Sequence, residues 1–91
     1  MTEPNSTATP RLVPKGKLRY DKVRETDMLL LPERVVELNT SSAAILRLCD
    51  GTRTTAEIIA QLEHDFDTTG LADDVLGFLR DARERGWVVT V

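Results

Sequence analysis

Cysteine and histidine are almost missing: Cys49 and His64 each stand alone among 91 residues. One thiol excludes an intramolecular disulfide, and one thiol with one imidazole leaves no zinc-ligand spacing. Long hydrophobic runs are missing too, the longest being four residues at Met28–Leu31 and at Ala43–Leu46. A membrane-spanning helix needs about 20 and a secretory signal core about 7–15, so the cytoplasm is the expected compartment. A formal net charge of -3 gives no general attraction for nucleic acid or an anionic membrane. The five glycines are scattered and form no phosphate-binding loop.

Material for catalysis is equally short. General acid–base work needs convergent groups with matched protonation behaviour. His64 lies two residues from both Leu62 and Phe66, off the apolar stripe of its helix, where a solvated histidine is expected. Asp73 and Asp74 are adjacent, so on a helix they diverge by about 100° and share no site. Matching the positive end of a helix dipole explains them better. Cys49 falls among Ile45, Leu46 and Leu48, and apolar surroundings keep a thiol protonated and inert. The expectation is a protein with no catalytic residue, no metal and no cofactor.

What is present is an ordinary folding composition, 41% apolar and 30% charged. A single domain of this length buries only about 60–65% of its unfolded surface, which favours function on the exterior. Met1 to Pro14 is rich in Thr, Pro, Asn and Ser and reads as a flexible tail, leaving 15–91 as the domain. Strand-forming runs follow at Lys17 to Val23, Met28 to Leu31 and Arg34 to Leu38. Pro32 and Glu33 join the last two as a tight turn, so the pairing is antiparallel.

From Thr40 the period becomes helical. Thr40, Ser41 and Ser42 offer capping oxygens to a first helix over Ala43 to Cys49, closed by Asp50 and Gly51. Thr54 or Thr55 caps a second, with Glu57 completing a capping box if Thr54 is the cap; Ile58, Ile59, Leu62 and Phe66 recur on one face. Leu71, Val75, Phe78, Leu79 and Ala82 form the stripe of a third helix, which Gly86 ends. Trp87 to Val91 remains as a short extended piece that covers the core or pairs as a wing. Three antiparallel strands followed by three helices make an α+β, winged-helix-like domain.

Such an order invites DNA binding through the third helix. Yet from Leu71 to Trp87 four acids oppose three arginines, and Asp73 and Asp74 sit where groove readers place donors. The third strand offers a different surface. Arg34, Val36 and Leu38 point to one side of it, and Val35, Glu37 and Asn39 to the other. At a sheet edge, its unpaired amides and carbonyls would accept a strand from another chain. From pattern alone, an ordinary protected edge is an equal alternative.

In order along the chain, Leu29-Leu30-Leu31-Pro32-Glu33, Leu38-Asn39, Ala43-Ala44-Ile45-Leu46, Leu48 and Asp50-Gly51-Thr52-Arg53-Thr54 resemble the PqqD family of pyrroloquinoline quinone (PQQ) biosynthesis. The resemblance continues through Ile58, Leu62, Asp74-Val75, Phe78-Leu79 and Gly86-Trp87, and upstream through Arg11-Leu12-Val13 and Lys17-Leu18-Arg19-Tyr20-Asp21. No single piece is diagnostic, but the ordered set is specific. Leu31 stands where such proteins often carry an aromatic residue before the Pro-Glu turn.

The resemblance implies a peptide chaperone, a recognition element for ribosomally made and then modified peptides (RiPPs). It would bind the precursor peptide PqqA and present it to the radical S-adenosylmethionine (SAM) enzyme PqqE. The peptide would lie as an added strand along Arg34, Val35, Val36, Glu37, Leu38 and Asn39, with a groove wall from Val75, Phe78, Leu79 and Ala82. Val36→Pro is then expected to weaken peptide binding by disturbing that edge. The alternatives are a winged-helix DNA-binding protein and a recognition element of another RiPP pathway. Neighbouring genes for a short peptide with Glu and Tyr and for a radical enzyme would separate the PQQ reading from the last of these. The same open edge makes a monomer or a weak, strand-exchanged dimer the expected state.

Overall fold

The computed structural model describes residues 8–90. Its elements run β1 (Pro10–Leu12), β2 (Lys17–Asp21), β3 (Thr26–Leu31), β4 (Arg34–Leu38), α1 (Thr40–Arg47), α2 (Thr55–Asp65), α3 (Ala72–Glu84) and β5 (Val88–Thr90). The strands β2, β3 and β4 form an antiparallel sheet in that order, while β1 pairs antiparallel with β5. Three antiparallel strands in one sheet with three helices give the expected α+β class, for which winged-helix is a loose description.

Within the stretch expected as a tail, residues 8–13 are bonded to distant parts of the chain. Thr55 donates its amide to the Ala8 carbonyl at 2.8 Å, Leu12 donates to Cys49 and Val13 to Trp87. Arg11 also bridges Asp50 on the side of β1 away from β5. Backbone bonding of this kind needs no apolar pattern, so composition could not register it; residues 1–7 lie outside the described residues. β2 likewise stops at Asp21, short of Val23, because the Asp21 carboxylate accepts from the amides of Val23 and Arg24. That capture turns the chain, and Glu25 completes the turn at φ 54°.

α1 starts three residues before the expected Ala43, since the Asn39 side chain accepts from the Ser42 amide at 2.7 Å and takes the capping role given to Thr40, Ser41 and Ser42. Thr54 caps α2 with the full reciprocal box, Thr54 accepting from the Glu57 amide and Glu57 from that of Thr54. α3 carries Asp73 and Asp74 in its first turn, and Gly86, at φ +80°, ends it in the left-handed region.

Leu29 of β3, Leu46 of α1, Ile58 of α2, Val75 and Leu79 of α3 and Val88 of β5 are among the fully buried side chains that these elements bring together. Cys49 is inside the same cluster and donates its thiol to the Ile45 carbonyl; burial first, and then the charge of Asp50, push its pKa up to about 12. His64 is exposed, as its place off the stripe requires. Among the described residues, no helix is long and apolar enough to cross a membrane.

Candidate functional site

β4 is the last strand of its sheet, so one of its edges is unpaired by the sheet. Which backbone groups face that edge follows from register. Leu31 pairs with Arg34 across the two-residue Pro32-Glu33 loop, and residues flanking such a loop exchange hydrogen bonds. Neither loop residue has positive φ, which excludes types II, I′ and II′, and Pro32 presets the φ wanted at the second position of a tight turn. Hydrogen-bonded and non-bonded pairs alternate along an antiparallel ladder. Leu29–Val36 and Asp27–Leu38 are therefore bonded pairs, whereas Leu30–Val35 and Met28–Glu37 are not. The amides and carbonyls of Val35 and Glu37 point outward.

That result corrects the expectation for Val36. Its backbone faces β3, so a proline there breaks the hairpin itself. The positions with outward-facing backbone groups are Val35, which is 57% exposed, and Glu37. Their side chains share the outer face of the sheet with Leu30 and Met28. Val36 and Leu38 turn inward, half-buried and buried respectively. Arg34 and Asn39 are exposed, and the Asn39 side chain is already committed to capping α1. Glu37 makes a long, solvent-exposed ion pair with Arg24 at 3.7 Å, of a kind that contributes little to stability.

Two clefts join the segments flanking β4 to opposite ends of α3, in reverse order. At the start of β4, a cleft of about 530 Å³ is lined by Val13, Pro14, Lys15, Leu31, Pro32, Glu33, Arg85 and Gly86. Just past its end, a smaller one of about 100 Å³ is lined by Ser41, Ile45, Leu62, Phe66, Leu71, Asp74 and Val75. Asp74, Phe78 and Arg85 are spaced by four and seven residues and so share a face of α3. Phe78, half-buried against the core, therefore lies between the two clefts.

The other expected wall residues lie mainly in the core, although Val75 also lines the smaller cleft. Val75, Leu79 and Ala82 are 2%, 1% and 0% exposed and belong to the core, leaving Phe78 as the member of that set with accessible surface. One helical stripe had been assigned both jobs, and a side chain packed into the core has little surface left to meet a guest. Sequence reasoning missed Lys15, Ser41, Phe66, Leu71 and Arg85. Phe66 had been placed on the buried face of α2, but it is the C-cap residue and 48% exposed. Among the described residues, no cluster of His, Cys, Asp and Glu could hold a metal ion.

A family model described as Coenzyme PQQ synthesis protein D (PqqD) matches residues 28–88. The chain is 39% identical over 89 residues to the PqqA binding protein of Azotobacter vinelandii, covering 97% of each chain. It is 35% identical over 77 residues to that of Methylococcus capsulatus, covering 85% of this chain and 83% of the relative. The solution NMR structure of the PqqD truncation of Methylobacterium extorquens PqqCD, described as a functional, stand-alone RiPP recognition element, superposes with a TM-score of 0.81. The identity there is 30%, with 97% of this chain and 96% of that one covered. The heterocyclase TruD shares the fold, with a TM-score of 0.69 at 17% identity over 92% of this chain and 12% of its own.

Proposed function

The chain belongs to the PqqD family, and from that premise we propose that it is a cytoplasmic peptide chaperone of PQQ biosynthesis that binds the precursor peptide PqqA and presents it to the radical SAM enzyme PqqE. The family's place in PQQ synthesis and its relatives' description as PqqA binding proteins support the peptide-binding part. The observation that carries the mechanism is the outward-facing backbone of Val35 and Glu37, in a strand whose two ends open into clefts beside α3. A guest strand paired there gains hydrogen bonds that tolerate many sequences, while side chains entering the clefts set specificity. The domain contributes binding and no bond-making. A second copy pairing through β4 would compete with the peptide, so the proposed resting state is a monomer or a weak strand-exchanged dimer.

Titrating isotope-labelled full-length protein with PqqA, following backbone amide shifts, tests this. Shifts are expected at Arg34–Asn39 and along α3. Saturable binding with shifts confined to β1, β5 or the exposed face of α2 would refute docking at β4. A separate pull-down, in which PqqA raises the amount of PqqE retained by the chain, tests presentation.

A further inference from the structure

The two clefts differ in charge. At the N-terminal end of α3 the lining is mostly apolar, and its ionisable member is Asp74. At the C-terminal end, Lys15 and Arg85 line the cleft with Glu33 as its acid, and Arg34 follows Glu33 in the chain. Arg24 pairs with Asp21 and Glu37, Arg47 with Asp27, and Arg53 with Asp50. Lys15 and Arg85 take part in none of them.

The Arg85 guanidinium and the backbone turn that carries Lys15 are each fixed without an acid. The Arg85 guanidinium lies over the Trp87 ring, 5.3 Å from its centroid. The turn carrying Lys15 is pinned to the same segment, because the Val13 amide donates to the Trp87 carbonyl and the Gly16 amide to the Val13 carbonyl, each at 2.9 Å. Val13, Pro14, Leu31 and Pro32 supply apolar walls around them, and a pair formed against such walls is less screened than one in open water. The negative end of the α3 dipole and Glu33 oppose an anion here. Two cations outweigh one exposed carboxylate and a partial charge.

Resting on the peptide-docking reading, we infer that this cleft is a carboxylate subsite for the chain lying along β4. It takes an acidic side chain, or a terminal carboxylate, of that chain. Asp73 and Asp74 repel the same group at the far end. The guest is thereby oriented, with its acidic part beside Lys15 and Arg85 and an apolar side chain toward Leu71 and Phe66.

The test uses the full chain and three synthetic peptides: PqqA, PqqA with every Asp and Glu replaced by its amide, and PqqA amidated at its C-terminus. One of the two altered peptides is expected to bind about 3- to 10-fold more weakly at low salt, a loss that shrinks at high salt, given that exposed pairs each change affinity by about 1.5- to 5-fold. Which one loses affinity identifies the carboxylate's source. Lys15→Glu is expected to weaken unmodified PqqA by a similar factor and to remove the difference between it and the weaker peptide. Glu33→Gln is expected to tighten PqqA by about twofold. If Lys15→Glu, with an otherwise unchanged amide spectrum, binds PqqA as tightly as the natural chain while β4 amides still shift, the subsite is refuted and docking at β4 stands. If β4 and α3 amides do not shift with any of the peptides, docking itself is refuted.

Discussion

Val35→Pro should abolish much of the peptide affinity while leaving the fold standing, whereas Val36→Pro, one residue away, should destabilise the fold itself. The Val35 amide faces the open edge, so its loss removes no bond to β3. Arg34 before it is already extended, a conformation that precedes proline without strain. An edge position also tolerates the ring. A guest strand would lose the bond to that amide and, through the bulk of the ring, a neighbouring bond as well. At about 0.5–1.5 kcal/mol each, two bonds correspond to a weakening of about 5- to 150-fold. Val36→Pro instead removes the amide that donates to Leu29, whose side chain is 0% exposed. Leaving a buried carbonyl without its donor costs about 1–3 kcal/mol of stability before binding is considered. Calorimetric titration with PqqA, paired with urea melts of both variants, separates the two effects. Unchanged affinity in Val35→Pro, or a fully stable Val36→Pro that merely binds less, would refute the assignment of outward-facing groups.

Leu79→Ala should cost about 2–5 kcal/mol in a urea melt, since the side chain is 1% exposed within the core. Phe78→Ala should cost less stability than that, because the ring is half-buried, and should lower PqqA affinity in titrations run below its melting range. Thr54→Ala should lower stability by about 1 kcal/mol through loss of the capping box, measured in the same melts. Cys49 should resist a thiol reagent in the folded state and react once urea unfolds the chain, because its pKa is pushed up from 9.0 to about 12. With the folded value raised, the contribution of Cys49 is complete below pH 9.0 and falls as pH rises toward about 12, where the unfolded chain has already ionised. Melts of the natural chain against Cys49→Ala at rising pH should show the natural chain losing stability faster.

Elements whose signal is local were legible in advance. The Pro32-Glu33 turn, the Thr54 box and the Gly86 stop are set by short-range sterics and hydrogen bonding, and each is where its residues imply. β1 was not legible, because three residues starting with a proline carry no period, and what orders them is bonding to Cys49, Gly51 and β5, all distant in sequence. The site divided along the same line. Alternation along β4 sorted its side chains between core and exterior, but the outward direction of the Val35 and Glu37 amides depends on register with β3, which the strand's own residues do not carry. The period of α3 found the stripe that buries itself. The face a guest could touch is the adjoining one, and its members Asp74, Phe78 and Arg85 differ too much in polarity to form a pattern.

Magnitudes also decide where specificity must lie. Val35 and Glu37 present two amides and two carbonyls to a guest, and four net hydrogen bonds contribute about 2–6 kcal/mol. Spanning β4 from one cleft to the other orders about six guest residues, at about 1–2 kcal/mol of backbone entropy each. Edge pairing alone therefore leaves an unfavourable or near-zero balance, even before the cost of association. Burial of about 200–300 Å² of apolar surface, at about 25 cal/mol per Å², would offset roughly 5–8 kcal/mol. Phe78 and the cleft around Phe66 and Leu71 are where such surface is available on this chain. A guest with polar residues at those positions should fail to bind although its backbone could pair with β4 equally well, and a peptide whose apolar residues facing α3 are changed to serine tests this directly. Retained affinity would mean that the strand edge carries more of the binding than these magnitudes allow.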